Sequence, residues 1–345
     1  MRSRIQALAH RLETPLLVTN LVNVRYLTGF DSSNAALLVA PDGEATLYTD
    51  FRYIEVAREI EGVQVTLARR SLLTDIAGEL PQRLEFEDVL PYRQWQELHG
   101  AGLDLTPSKG AVEELRAVKD EEELQAIRRA SRVAERAFEA LTAETFVGRT
   151  EKELAWRLKE LMHAHGADDV SFEPIVASGP NGARPHADPQ DWLVETRTLV
   201  VVDFGAKVGG YCSDCTRTLA TGPLPEQLRR AYDVCFAAQR AAVAGIRPTM
   251  TGEEVDNIAR SMIEAEGFGG EFGHGLGHGV GLDVHEAPRL STESTDTLQT
   301  GNVVTVEPGI YLPGRFGVRI EDLVLVTENG HDVLSSLGKD LIAIA

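Results

Sequence analysis

The chain has 345 residues, 43% of them hydrophobic, which is enough for a sizeable core and about two domains. Its formal net charge of −19 disfavours nucleic acid or an anionic membrane as a partner and sets a negative field around any cation site. No apolar run approaches a membrane span, Arg11 and Glu13 interrupt any signal-peptide core, and three cysteines are too few for a disulfide framework, so a cytoplasmic protein is expected.

Residues 1 to about 108 alternate short apolar runs with amphipathic ones. The pattern predicts strands at Pro15–Thr19, Ala35–Ala40, Thr46–Thr49, Val63–Ala68 and Leu84–Glu87, and helices at Phe51–Ile60, Ser71–Glu79 and Tyr92–His99. Pro41-Asp42-Gly43 marks a turn. This is an α/β domain without a cluster of catalytic residue types; Asn23–Phe30 is its most distinctive run. Thr106–Gly110 is expected to be the linker, followed by a charged helical stretch from Glu113 to Lys119. The first domain is thus placed at residues 1–119 and the second at 120–345.

The second domain opens on a long helix with an acidic first turn, Asp120-Glu121-Glu122-Glu123, which complements the helix dipole and reads as a helix start. It continues to about Thr142. Thr150 and Glu153 form a capping box for the next helix. Val170–Ala177 is predicted as a strand, and Ser178–Pro189 as a loop that carries His186. Two strands, Leu199–Phe204 and Tyr211–Ala220, flank Gly205–Gly210. Helices follow over Glu226–Ala244 and from the Thr251 cap to about Glu266. A second strand pair spans Val303–Tyr311 and Gly317–Thr327. The order helix, helix, strands, hairpin occurs twice, so the domain is expected to consist of two similar halves.

Between the last helix and the last hairpin runs Gly273-His274-Gly275-Leu276-Gly277-His278-Gly279-Val280-Gly281-Leu282-Asp283-Val284-His285-Glu286. Glycines at this density suit backbone that needs positive φ or close approach, and three imidazoles on such a segment point to a metal or catalytic site. Cys212 and Cys215 form a C-x-x-C, but in an extended stretch residues three apart face opposite ways, which predicts packing.

Each hairpin ends an apolar strand in a carboxylate. Val200-Val201-Val202 runs into Asp203, with Asp214 on the return strand; a turn centred on Val208-Gly209 would set the two directly opposite. Val303-Val304-Thr305-Val306 runs into Glu307, and Glu321 returns after a turn at Pro313-Gly314. Carboxylates this close repel unless a proton or cation lies between them. Four carboxylates with at least one imidazole offer oxygen-rich ligation for two divalent ions, favouring Mn²⁺ or Co²⁺, with Zn²⁺ possible, and hydrolytic chemistry. Arg319, two residues from Glu321, faces the same side; a salt bridge to Glu321 or contact with substrate are equally compatible roles.

The set Asp203, Asp214, His278, Glu307 and Glu321 resembles the dinuclear site of the pita-bread metallopeptidases. His274–Glu286 is similar to the signature of their prolidase and aminopeptidase P branch, and Asn23–Phe30 resembles that branch's creatinase-like N-terminal domain. The resemblance implies an α/β (α+β) chain with a creatinase-like domain followed by a pita-bread domain. It implies that Asp203, Asp214 and Glu321 bind one metal ion, and Asp214, His278, Glu307 and Glu321 the other. Glu307 would double as general base, His186 and His285 would contact substrate and the tetrahedral intermediate, and His274 would lie nearby. The implied substrate is a peptide with proline second, cleaved as a dipeptide or as a longer chain, and the implied assembly is a homodimer.

Creatinase shares the fold without the metal, but all five ligand positions are filled here. Methionine aminopeptidase has the same ligands, though residues 1–108 and His274 point elsewhere. A non-catalytic peptide-binding protein on this fold would be expected to have lost ligands. Arg289, just past the signature, would either pair with the free carboxylate of a dipeptide or balance an acidic surface in solvent.

Overall fold

The amino-terminal unit, Met1–Arg116, is organised around one mixed six-stranded sheet. Its strands are β1 (Leu16–Val18), β2 (Ala35–Val39), β3 (Ala45–Thr49), β4 (Gln64–Leu67), β5 (Arg83–Glu87) and β6 (Asp104–Ser108), in the spatial order β4-β3-β2-β1-β5-β6. The β1–β2 and β2–β3 pairs are antiparallel, and β3–β4, β1–β5 and β5–β6 are parallel. The helices are α1 (Arg2–Ala9), α2 (Leu21–Thr28), α3 (Ile54–Ala57), α4 (Leu72–Ile76), α5 (Tyr92–Gly100) and α6 (Glu113–Ala117), the last at the junction with the second unit. This computed structural model describes residues 2–344; residues 1 and 345, the outer ends of the two expected domains, lie outside the described residues.

One expectation is corrected in this unit. Thr106, Pro107 and Ser108 are not linker but the end of β6, where proline is tolerated because the strand is at the sheet edge and pairs only with β5. The Asn23–Phe30 run is mostly helix α2, capped by the Asn20 side chain on the Val22 N–H and ended by Gly29 at φ 73°. Its buried Asn23 donates to both Glu87 and Glu113 at 2.6 Å, so the run ties this unit together.

The second unit, Ala117–Ala345, shows the expected doubling. Its first half contains α7 (Glu121–Thr142), α8 (Glu151–Ala164), β7 (Asp169–Val170), β8 (Ile175–Ser178), α9 (Gly179–Gly182), β9 (Leu199–Phe204), β10 (Ala206–Val208), β11 (Tyr211–Cys212) and β12 (Cys215–Ala220). Its second half contains α10 (Glu226–Gly245), α11 (Gly252–Ala265), β13 (Gly277–Gly279), β14 (Glu286–Leu290), β15 (Val303–Val306), β16 (Gly309–Leu312), β17 (Phe316–Arg319), β18 (Asp322–Thr327) and β19 (Gly330–Val333). Capping boxes start α7, α8 and α11 at Asp120, Thr150 and Thr251.

Each half has its own apolar core. In the first, Phe138, Leu141, Leu154 and Leu158 of the helices meet Val200, Val202 and Phe204 of β9, with Phe138 stacked on Phe204 at a centroid distance of 4.9 Å. In the second, Cys235, Ala242, Val255 and Ile263 meet Val304, Val306, Val318 and Val324. The cysteines Cys212, Cys215 and Cys235 are all buried and unbridged, as packing residues should be.

The hairpin registers aim the site. The first turn is at Gly209-Gly210, with φ of 60° and 89°, the double positive φ of a type I′ hairpin that β-branched Val208 would resist. That pairs Asp203 with Thr216 and not with Asp214. Asp214 therefore lies diagonally, two residues along, still on the face of Asp203. In the second hairpin Val306 pairs with Asp322 and Gly309 with Arg319, which sets Glu307 opposite Glu321 as expected. Its turn is a type II turn over Leu312–Arg315, with Pro313 leading and Gly314 at φ 72°. Pro308 supplies no N–H, and the predicted Val303–Tyr311 strand divides there into β15 and β16.

Candidate metal centre

The carboxylates converge where the two hairpins meet. The Glu321 N–H donates to the Thr216 carbonyl at 3.1 Å, and the Thr218 hydroxyl donates to the Arg319 carbonyl at 2.8 Å, stitching β12 to the second hairpin. As a result Asp203, Asp214 and Glu321 each offer an oxygen within 4.8 Å of the others. The approach depends on Gly205: a Cβ there would sit 2.0 Å from the Ser213 carbonyl oxygen, on the stretch that presents Asp214.

The glycine-histidine segment delivers the imidazoles by close approach; none of its glycines has positive φ. A Cβ on Gly277 would meet the Thr305 carbonyl oxygen at 2.1 Å, and one on Gly279 the Ala287 carbonyl oxygen at 2.1 Å, so the segment lies backbone to backbone between β15 and β14. His278 Nε2 is 3.1 Å from Glu307 Oε1 and 3.7 Å from Asp214 Oδ2. The Thr305 hydroxyl accepts from the His278 N–H and donates to Glu307 Oε1 at 3.1 Å.

Arg319 is buried within this cluster but does not pair with Glu321. It donates to Asp203 at 2.6 Å, the Thr216 hydroxyl at 3.0 Å, the Tyr311 hydroxyl at 2.8 Å and the Pro185 carbonyl at 3.1 Å. Thr216 in turn donates to Glu321 Oε2 at 2.7 Å. The Tyr311 hydroxyl also meets His274 Nε2 at 3.0 Å, fixing that ring beside the cluster.

The electrostatics favour a cation. Burial, then the charges of Glu321, Asp203 and Glu307, hold the Asp214 carboxyl well above its usual range. Burial, then Glu307 and Asp203, do the same to Glu321. Asp203 is raised by burial although Arg319 opposes it. Glu307 differs: burial pushes it up, but the His278 hydrogen bond and the charges of His278 and Arg319 prevail and bring it to about 2. Asp203 Oδ1 and Glu321 Oε1 are buried without a hydrogen-bond partner in the protein. Two orphaned carboxylate oxygens within a group of mutually repelling acids are what oxygen-binding divalent ions compensate, so the residues fit such ions.

The other sequence-derived residues lie around this group. His285 is exposed as a residue, but its ring, its centroid 4.3 Å from that of His278, is partly desolvated, and this and the His278 charge lower its pKa. His274 is lowered by burial. His186 is exposed on the loop after α9, close enough for its charge to act on both His274 and His285. Arg289 pairs with His278 across the β13–β14 ladder, is exposed, and acts on His285.

Several residues were not singled out in the sequence. Thr216, Thr305 and Tyr311 carry the hydrogen bonds described above. Glu151, the first residue of α8, is fully buried and accepts from Ser178 N, Asn181 Nδ2 and Gln190 N at 2.7–2.9 Å, bracketing the loop that carries His186. Strand parity with Glu307 marks Thr305 and Tyr311, and with Asp214 marks Thr216; no local signal marks Glu151.

Residues 125–328 match the metallopeptidase family M24, and residues 4–118 match the creatinase/prolidase N-terminal domain. The chain is 36% identical over 323 residues to an Xaa-Pro dipeptidase of Pyrococcus furiosus, covering 93% of each. Its fold is similar to the solved Xaa-Pro dipeptidase of Bacillus anthracis, with a TM-score of 0.94, 36% identity and 99% of each chain covered. It is also similar to the X-Pro aminopeptidase of Thermotoga maritima, with a TM-score of 0.88, 32% identity, and coverage of 97% of this chain and 99% of that one.

Proposed function

The chain belongs to metallopeptidase family M24, and from that premise we propose that it hydrolyses Xaa-Pro bonds in peptides whose second residue is proline. One observation carries the reading: Asp203, Asp214 and Glu321 share a single oxygen cluster, with His278 and Glu307 bonded to each other at its edge. Asp203, Asp214 and Glu321 would hold one divalent ion, and Asp214, His278, Glu307 and Glu321 a second. Oxygen-dominated ligands favour Mn²⁺ or Co²⁺, with Zn²⁺ also accommodated. When bound, the ions supply Lewis acidity toward a water and the scissile carbonyl.

The chain's own groups do the rest. Glu307 stays ionised at neutral pH, and its Oε2, free of the Thr305 and His278 bonds to Oε1, accepts the proton of the attacking water. His285, lowered by partial desolvation of its ring and by the His278 charge, has one N–H to donate to the oxygen of the tetrahedral intermediate, with His186 on the same rim. His274 and Arg319, joined through Tyr311, hold the floor of the site in place. A prolyl amide has no N–H, so a cleft that relies on this rim needs no donor from the substrate nitrogen.

We place the protein in the cytoplasm as a homodimer, divided into domains at 1–119 and 120–345. Among the described residues no helix is long and apolar enough to cross a membrane. The test is hydrolysis of Ala-Pro, Ala-Pro-Ala and Met-Ala-Ala by Mn²⁺-loaded protein. Cleavage of either proline peptide with Met-Ala-Ala spared supports the reading, and the preferred length separates dipeptidase from aminopeptidase. Cleavage of Met-Ala-Ala alone would make it a methionine aminopeptidase-type enzyme. Metal binding with no hydrolysis of any of the three would make it a peptide-binding protein.

A further inference from the structure

We propose that Asp256 and Arg260, an ion pair on α11, are positioning residues that set the path of the glycine-histidine segment and thereby the metal affinity of His278. The proposal rests on the ligand reading above. Asp256 is fully buried and receives Arg260 Nε at 2.6 Å and Nη2 at 2.9 Å. The same guanidinium donates to the Phe272 carbonyl at 2.8 Å and the His274 carbonyl at 2.7 Å, and lies 4.2 Å over the Phe272 ring. Asp256 Oδ1 accepts the Leu276 N–H at 2.9 Å.

Residues 272–276 run through bends before β13 begins at Gly277, and the Phe272 carbonyl, the His274 carbonyl and the Leu276 N–H all turn toward the ion pair, which satisfies these groups where no neighbouring strand does. The segment is also tied to the second hairpin: the Leu276 carbonyl accepts the Glu307 N–H at 2.8 Å, and the His278 N–H reaches Thr305. Between these anchors lie Gly273, Gly275 and Gly277, residues that lose the most backbone freedom on ordering. Without the pair, the entropy of ordering the segment would have to come from metal binding, and the His278–Glu307 pair would be set less often in its bound geometry. Asp203 and Asp214 stand on the first hairpin, and Glu321 hydrogen-bonds to it, so this group does not hang from the segment.

Partners that orient metal ligands typically carry about 10- to 100-fold in affinity. The full-length metal-free protein and the variants Arg260→Lys, Arg260→Met, Asp256→Asn and His278→Ala are titrated with Mn²⁺ by calorimetry, with folding checked by circular dichroism. Lysine puts its donors on one nitrogen and cannot reproduce the guanidinium's fork, in which Nη1 serves Phe272, Nη2 serves His274 and Nε serves Asp256, so Arg260→Lys keeps the charge while relaxing the segment even if Arg260→Met fails to fold. The expected result is one equivalent bound as in wild type and the other weakened about 10- to 100-fold, with Arg260→Lys milder than Arg260→Met. Arg260→Lys and Asp256→Asn binding both equivalents at wild-type affinity, while His278→Ala loses one, would overturn the positioning role alone. Equal weakening of both equivalents would reduce the pair to general stability and also overturn it. If His278→Ala itself keeps both equivalents, the ligand reading falls and the proposal with it.

Discussion

Arg319 and Asp203 are joined by a 2.6 Å charge-assisted hydrogen bond that runs from the second hairpin to the first. The guanidinium is raised well above its ordinary range: burial lowers it, but Tyr311, Asp203 and Glu307 outweigh that. It is thus a buried cation that offsets Asp203 and Glu307 before any metal arrives. Arg319→Met should destabilise the metal-free protein by about 3–5 kcal/mol, the usual cost of stripping one partner from a buried pair. Arg319→Lys, which keeps the charge but not the fork, should fall between. Urea unfolding of the metal-free proteins measures this, and an unchanged midpoint in Arg319→Met would contradict the role.

The acids also give the metal-free protein an inverted pH response. Folded-state values raised above the unfolded ones contribute stability that is complete below the unfolded pKa and lost as pH climbs through the folded pKa. Asp203, Asp214 and Glu321 are all raised, so the metal-free protein should lose stability from about pH 4 toward neutrality. The lowered Glu307 acts only below its ordinary value of 4.5 and does not mask the trend. Thermal melts in buffers across this range, with and without Mn²⁺, check it. The metal should remove the slope, and Asp214→Asn should flatten it without metal while also failing to hold two equivalents.

His285 separates chemistry from metal binding. Standing beside His278 but exposed, it should tolerate His285→Ala with metal content unchanged and kcat lowered by roughly 10²–10³, the range for one lost oxyanion donor. Metal analysis of the variant alongside turnover decides the point. Loss of one equivalent would turn His285 into a ligand.

Arg289 bears on substrate length. Its ladder pairing with His278 gives its side chain the same face as the imidazole, and its exposure leaves the guanidinium available. Arg289→Ala should raise KM for Ala-Pro several-fold to about a hundredfold, matching about 1.5–3 kcal/mol for a hydrogen bond to a charged group. Ala-Pro-Ala, with its carboxylate one residue further out, should change little. Equal KM values on Ala-Pro would return Arg289 to the solvent.

The sequence was most legible where a local rule has one outcome. Thr150, Glu153 and Thr251 announce their helix starts, and apolar runs ending in Asp203 and Glu307 show where carboxylates leave the strands. It was least legible where position depends on a turn or a distant partner. Placing the first turn at Gly209-Gly210 instead of Val208-Gly209 shifts the register by two, which turns Asp203 and Asp214 from opposite neighbours into diagonal ones while preserving their shared face. Parity puts Arg319 on the face of Glu321, but its partner is Asp203, more than a hundred residues away in sequence, and no spacing rule reaches that far.

The two cores and the seam between them have a kinetic consequence. Each half can collapse around its own apolar cluster, one centred on Phe138 and Phe204, the other on Val304 and Val324. Yet the Thr216–Glu321 and Thr218–Arg319 bonds exist only once the halves have docked. Neither half alone assembles the oxygen cluster, so capture of a divalent ion reports the docking of the halves and not the growth of helices or strands. In refolding from denaturant with Mn²⁺ present, the metal signal should trail the recovery of secondary structure, and slowing the docking of the halves should lengthen that lag without changing the earlier phase.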